Sequence, residues 1–238
     1  MFERKKYKEF AKQQLKNRWG IPILITLIVT AISGLLSIKN FAAPDLFAQY
    51  FSNTITYEEF VEGYISVDTP LSFMIDIFQT LISGIFSVAC ASVYLKMSRS
   101  PEKITFSTFV QGLNLWSKAV LATLWTFLWT FLWSLLFIIP GIVKSLAYSQ
   151  IYYLITEYPN LSVTKAMKIS MLITNGHKAD LFVMYLSFLG WCILAAIPAG
   201  IGFIFLTPYM EMTFVNAYHG MLKEAVDSGK LQPDDLTE

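Results

Sequence analysis

The sequence predicts an all-α fold: a polytopic transmembrane helical bundle of about six spans, arranged as three hairpins. Composition and pattern both point there. The chain has 238 residues, of which 55% are hydrophobic, 16% aromatic and only 15% charged. Soluble domains carry roughly 25% charged residues. The apolar residues also gather into long runs, close to the roughly 20 residues needed to cross about 30 Å of hydrocarbon. This composition excludes a disordered chain, a collagen-like repeat and an ordinary soluble enzyme. The formal charge of +1, from 18 basic and 17 acidic residues, excludes a strongly basic nucleic-acid binder.

A single membrane domain is expected over residues 1–222, followed by a polar cytoplasmic tail, 223–238. The first span, 21–38, contains no charge. The second, 71–95, carries Asp76 near its start. The third, 119–139, has no charged residue and stops at Pro140-Gly141, a pair that ends helices and permits reversal. A shorter fourth span, 142–156, carries Lys144. The fifth, 181–197, ends at Pro198-Ala199-Gly200, and the sixth, 201–222, is interrupted by Pro208, Glu211 and His219. Pro140, Gly141, Pro198 and Gly200 are thus the expected hairpin turns.

Basic residues set the orientation of such a chain. The segment 1–20 holds Arg4, Lys5, Lys6, Lys8, Lys12, Lys16 and Arg18. The connection 96–118 holds Lys96, Arg99, Lys103 and Lys118, and 157–180 holds Lys165, Lys168 and Lys178. Six spans with an inside start place all of these, and the tail's Lys223 and Lys230, in the cytoplasm. Only Lys39 and Lys144 are left outside. The loop 40–70 is the reverse case, with Asp45, Glu58, Glu59, Glu62 and Asp68 and no base. Both termini are therefore expected to be cytoplasmic, with an extracytoplasmic acidic loop. The first apolar run is too long for an ordinary cleavable signal, and reads as an uncleaved signal-anchor.

A threefold pattern overlies the spans. Asn17-Arg18-Trp19, Asn114-Leu115-Trp116 and Asn175-Gly176-His177 stand before the first, third and fifth spans. A segment of helical period precedes each step: Phe2, Phe10 and Leu15; Phe106, Phe109, Val110 and Leu113; Val163, Ala166, Met167, Ser170 and Met171. These segments read as amphipathic helices lying in the cytoplasmic interface. The repeats run parallel, so they lack the inverted symmetry of many secondary transporters.

Ionisable residues inside spans mark functional sites by default, because their burial in hydrocarbon is costly. Here they are Asp76, Lys144, Glu211 and His219. Two readings stay open for them. In one, they line an outward-facing polar pocket walled by Tyr148, Tyr152 and Tyr209. In the other, Lys144 and Glu211 form an ion pair that pins two hairpins together. In the third span Trp125, Trp129 and Trp133 form one strip, and Thr126, Thr130 and Ser134 a second, small and hydroxylic. Both strips suit helix packing. Ser83, Ser87 and Ala91 read in the same way. No HExxH, zinc spacing, GxSxG, P-loop or GxGxxG is present, so no metal, cofactor or enzymatic activity is expected. Cys90 and Cys192 lie in apolar runs as packed thiols.

The stretch Phe137-Ile138-Ile139-Pro140-Gly141-Ile142-Val143-Lys144 and then Ala147-Tyr148-Ser149 resembles the central signature of domain-of-unknown-function family 975. The resemblance continues through Glu157-Tyr158-Pro159, Leu161-Ser162, Ala166, Ser170, Leu186 to Trp191 and Pro208-Tyr209. It covers roughly residues 8–222. Around Asn175-Gly176-His177-Lys178 the order departs from the glycine-first pattern. The resemblance implies a polytopic plasma-membrane protein of a bacterium, and no reaction. The outer placement of Asp76, Lys144 and the acidic loop, with no catalytic motif, leads to the expectation of a non-enzymatic binding or accessory component of the cell envelope. Its expected partners are membrane lipids, another membrane protein or an extracellular peptide, with no nucleic acid. A transporter or channel for a small solute or lipid is the alternative.

Overall fold

The computed structural model describes residues 2–36, 39–66 and 70–236, and helices are the only regular structure among them. In chain order these are α1 (Arg4–Leu15), α2 (Gly20–Leu36), α3 (Lys39–Phe51), α4 (Tyr57–Ser66), α5 (Pro70–Arg99) and α6 (Phe106–Leu113). They continue with α7 (Trp116–Leu136), α8 (Ile138–Tyr148), α9 (Ile151–Glu157), α10 (Val163–Ile173), α11 (Lys178–Ala196) and α12 (Phe203–Asp227). The chain divides into two compact units, Ile28–Ser83 and the combination of Met1–Leu27 with Gly84–Glu238.

Among the described residues, three helices are long and apolar enough to cross a membrane: Phe73–Arg99 within α5, Trp116–Leu136 and Lys178–Ala196. A fourth span results if α1 and α2, bent by 101°, act as one. The end of the expected first span, 37–38, lies outside the described residues. Where a fourth span was expected stand two short helices. At 1.5 Å per residue α8 covers only about 16 Å, half the hydrocarbon thickness.

The first expected turn lies elsewhere. The chain turns at Phe137, whose extended backbone (φ −159°, ψ 150°) separates α7 from α8. Pro140 and Gly141 lie inside the first turns of α8. Proline is at home there, because its missing N–H has no intrahelical acceptor and its fixed φ already suits a helix. Gly141 is required by contact, since a Cβ would collide with Ser134 of α7. Between α11 and α12 the backbone turns through Pro198, with Ala199 (φ 51°) and Gly200 (φ 81°) left-handed. Just beyond, a Cβ on Gly202 would stand 2.5 Å from the Ala195 Cα. Backbone cannot yield as a rotamer can, so Gly202→Ala is expected to destabilise by about 1–3 kcal/mol. Thermal unfolding in detergent checks this, and an unchanged Tm would mean α11 and α12 do not meet there.

The short helices α1, α6 and α10 directly precede α2, α7 and α11. In two of them protein covers part or most of the apolar stripe. Ala11 and Leu15 of α1 are fully buried, and α1 packs along α12. In α10, Val163, Ala166, Met167, Ile169, Ser170 and Ile173 are all buried. An apolar stripe reads the same whether acyl chains or protein cover it. The hydroxyls of α10 also repair the break between α8 and α9. Ser170 donates to the Ala147 carbonyl (2.7 Å) and accepts from the Gln150 N–H (3.2 Å). Thr174 shares the same carbonyl at 3.4 Å. Backbone groups freed by the break are thereby satisfied.

In the Ile28–Ser83 unit, the expected acidic loop is folded into α3 and α4. Aromatic contacts hold the two together, Phe47 to Phe60 and Tyr50 to Phe60, each with ring centroids 5.1 Å apart. Asp45, Glu58, Glu59 and Glu62 are exposed, and Asp68 lies outside the described residues. A capping box starts α4. The Glu59 carboxylate accepts from the Thr56 N–H (2.8 Å), and the Thr56 hydroxyl accepts from the Glu59 N–H (3.3 Å). Those bonds from Thr56 hold the Glu59 carboxyl below its usual range. A depressed carboxylate stabilises above its unfolded value and loses that contribution as pH falls through the folded one. Amide exchange at the start of α4 is expected to quicken below the usual glutamate range. A Glu59→Gln variant should lack that acid-dependent step.

Candidate functional site

The residues expected to form one pocket face different neighbours. The Lys144 ammonium sits over the Trp133 ring, 4.7 Å from its centroid. Tyr148 is buried, at 3% exposure. The Tyr152 hydroxyl meets that of Thr123 on α7 at 3.0 Å. Tyr209 stands edge-on to Phe188 at 5.6 Å, with the Lys12 ammonium 5.8 Å above its ring. Asp76 belongs to the Ile28–Ser83 unit, where its backbone carbonyl accepts from the Thr80 hydroxyl. Trp125 and Trp129 stack on one another at 6.4 Å along α7 and are 36% and 40% exposed.

Glu211 is the centre that remains. It accepts a hydrogen bond from the Tyr153 hydroxyl at 3.3 Å. The ion pair with Lys144 is not formed: Lys144 on α8 turns toward α7, and Glu211 turns toward α9. The Tyr94 and Tyr185 phenols and the Cys90 thiol lie within reach of the Glu211 charge. Tyr94 is 1% exposed and Tyr153 8% exposed, and Tyr153 also packs on Tyr218 with centroids 5.3 Å apart. A carboxyl with a phenol as its donor is suited to hold a cationic or hydrogen-bond-donating group.

Helix phase explains why the sequence pointed to Tyr152. Successive residues of α9 differ by about 100°, so Tyr152 faces α7 while Tyr153 faces α12. Tyr153 lies one turn before Glu157, on the polar face of α9, and that spacing was the available signal. One turn before Glu211, Pro208 cannot return a hydrogen bond to Ile204, which weakens α12 locally.

A second polar layer lies beside this centre, and of it the sequence singled out only His219. Gln14 and Asn216 exchange amide hydrogen bonds at 3.2 and 2.8 Å. Ser98 Oγ meets His219 Nε2 at 2.8 Å. The Arg18 guanidinium donates to the carbonyls of Met97 (3.1 Å) and Glu102 (2.6 Å), pinning the α1–α2 corner to the end of α5. Arg99 pairs with Glu157, whose side chain is only 7% exposed. Burial and then the adjacent Glu157 push the Tyr158 phenol up to about 12. Lys8 donates to Ser187 Oγ at 2.8 Å and lies 4.0 Å from the Phe188 centroid. Burial, followed by Arg4 and Lys12, lowers its pKa. Gln14 and Asn216, polar residues on otherwise apolar helix faces, were the legible hint.

Among the described residues no group of three His, Cys, Asp or Glu could hold a metal ion. Cys90 and Cys192 are free thiols. A family model described as a protein of unknown function (DUF975) matches residues 1–145 and 135–225. No curated protein and no solved structure matches the chain.

Proposed function

The chain belongs to the DUF975 family, and we propose that it is a non-enzymatic integral membrane protein of the bacterial plasma membrane, a binding or accessory component of the envelope. Its spans are six, with α8 and α9 together forming the fourth and the Pro208-containing part of α12 the sixth. Both termini are cytoplasmic, and α3 and α4 form a small acidic extracytoplasmic element. The units α1–α2, α6–α7 and α10–α11 are copies of one short-helix, bend and span repeat.

The observation that supports a binding role is Glu211 among Tyr153, Tyr94 and Tyr185, a carboxyl within the bundle with a phenol as its donor. An ionisable group is kept at such a place when it serves something. The outward polar pocket is narrower than the sequence suggests and centres on Glu211. Its ligand is a cationic or donor-rich group of a lipid, a membrane protein or an extracellular peptide. Protein extracted with its native lipids and weighed by native mass spectrometry tests this. Wild type is expected to retain a bound species that a folded Glu211→Gln variant loses. Identical spectra would overturn the reading.

The second reading, a transporter or channel for a small solute or lipid, is favoured by the Pro208 interruption one turn from Glu211 and by the broken α8–α9 pair. Broken helices commonly line transport sites. It predicts flux in reconstituted vesicles that falls at least tenfold in Glu211→Gln. Flux unchanged by that variant would leave Glu211 with no part in transport.

A further inference from the structure

The α1–α2 corner and the end of α5 enclose a groove of about 420 Å³, lined by Gln13, Lys16, Arg18, Ser98, Arg99 and Ser100 among others. Lys16, Arg18 and Arg99 make it cationic, and no carboxylate lines it. A neighbouring groove of about 350 Å³ shares Arg99 and Ser100 and adds Lys96. This second groove does contain Glu157, but that carboxylate is engaged by Arg99.

Two further observations mark the first groove as built for an anion. Arg18 is locked by its bonds to the Met97 and Glu102 carbonyls, so its guanidinium plane is fixed. Yet its Nε–H is buried and meets no acceptor. A buried donor left unsatisfied costs free energy that an anionic oxygen would recover. The location supplies the rest. The groove sits where Phe73–Arg99, a helix long and apolar enough to cross a membrane, ends in Lys96 and Arg99. That is the depth of lipid headgroups, and cationic pockets at the ends of membrane helices suit anionic lipids.

We propose that this groove binds the phosphate of an anionic phospholipid headgroup. Arg18 Nε–H and the exposed part of the Arg99 guanidinium donate to phosphate oxygens. Lys16, exposed at the rim, adds charge, and the Ser100 hydroxyl is within the same lining. The site rests on the membrane reading of the chain and is independent of Glu211.

The test compares full-length protein in phosphatidylcholine nanodiscs with and without phosphatidylglycerol, reading retained lipid by native mass spectrometry. Wild type is expected to retain phosphatidylglycerol about tenfold over phosphatidylcholine. Lys16→Gln should weaken that retention about fivefold, the effect of losing one cation near a membrane surface. Arg18→Lys keeps the charge but loses the Nε–H, and should weaken it further. Lys5→Gln, an exposed cation of α1 outside the groove, should leave retention unchanged. If Arg18→Lys does not fold, the contrast between Lys16 and Lys5 still decides. Equal loss in Lys16→Gln and Lys5→Gln would reduce the groove to general surface charge. Inorganic phosphate that displaces the lipid at equal concentration would make it a free-anion site. Equal retention of the two lipids would remove it altogether.

Discussion

Tyr153→Phe is expected to destabilise the detergent-solubilised protein by about 1–2 kcal/mol, the net worth of a hydrogen bond to a half-buried carboxyl. The hydroxyl removed is the donor to Glu211, and the ring that remains still packs on Tyr218. Loss of packing is therefore small, and the measured change reports the hydrogen bond. Combining Tyr153→Phe with Glu211→Leu should cost clearly less than the sum of the single changes, because the second removes the group the first orphans. Denaturant titration of the three variants measures the coupling. Strictly additive costs would mean that the two side chains do not interact.

Arg99→Ala is expected to cost about 3 kcal/mol by leaving the Glu157 carboxylate buried without its cation. The cost stands at the low end for a broken buried pair, because the Arg99 side chain is 54% exposed while that of Glu157 is 7% exposed. Arg99→Ala combined with Glu157→Leu should recover most of the loss, since an apolar pair needs no compensation. A thermal unfolding series distinguishes the two cases. If the double variant is no better than Arg99→Ala, the missing arginine contacts, and not the stranded charge, carry the effect.

The helical class and the strongest spans were legible because they rest on composition and length, which need no partner. The residues 119–139 read as a span, and α7 occupies Trp116–Leu136. What failed depended on neighbours or on phase. Pro140-Gly141 was read as a turn, yet the same pair starts a helix equally well, and Gly141 answers to Ser134 across the hairpin. Tyr152 and Tyr153 are adjacent in sequence but face different helices. Lys144 and Glu211 have complementary charges, and that alone could not say that Lys144 would settle on Trp133. The stripe on α10 was visible, but nothing in it distinguishes lipid from protein as its cover. Arg18 was counted as an orientation signal, while its bonds to Met97 and Glu102 are set by residues some eighty positions away.

The number of crossings decides the architecture proposed above, and residues 157–180 report it. If α8 with α9 and the start of α12 cross the membrane, this connection is cytoplasmic. If only α2, α5, α7 and α11 cross, it lies outside. Lys168 is exposed on α10 and suits a single cysteine, Lys168→Cys, in a background with Cys90 and Cys192 replaced by alanine. Labelling with a membrane-impermeant maleimide is the direct measurement. The six-span arrangement predicts no labelling of intact cells and full labelling after lysis. Labelling in intact cells would contradict it.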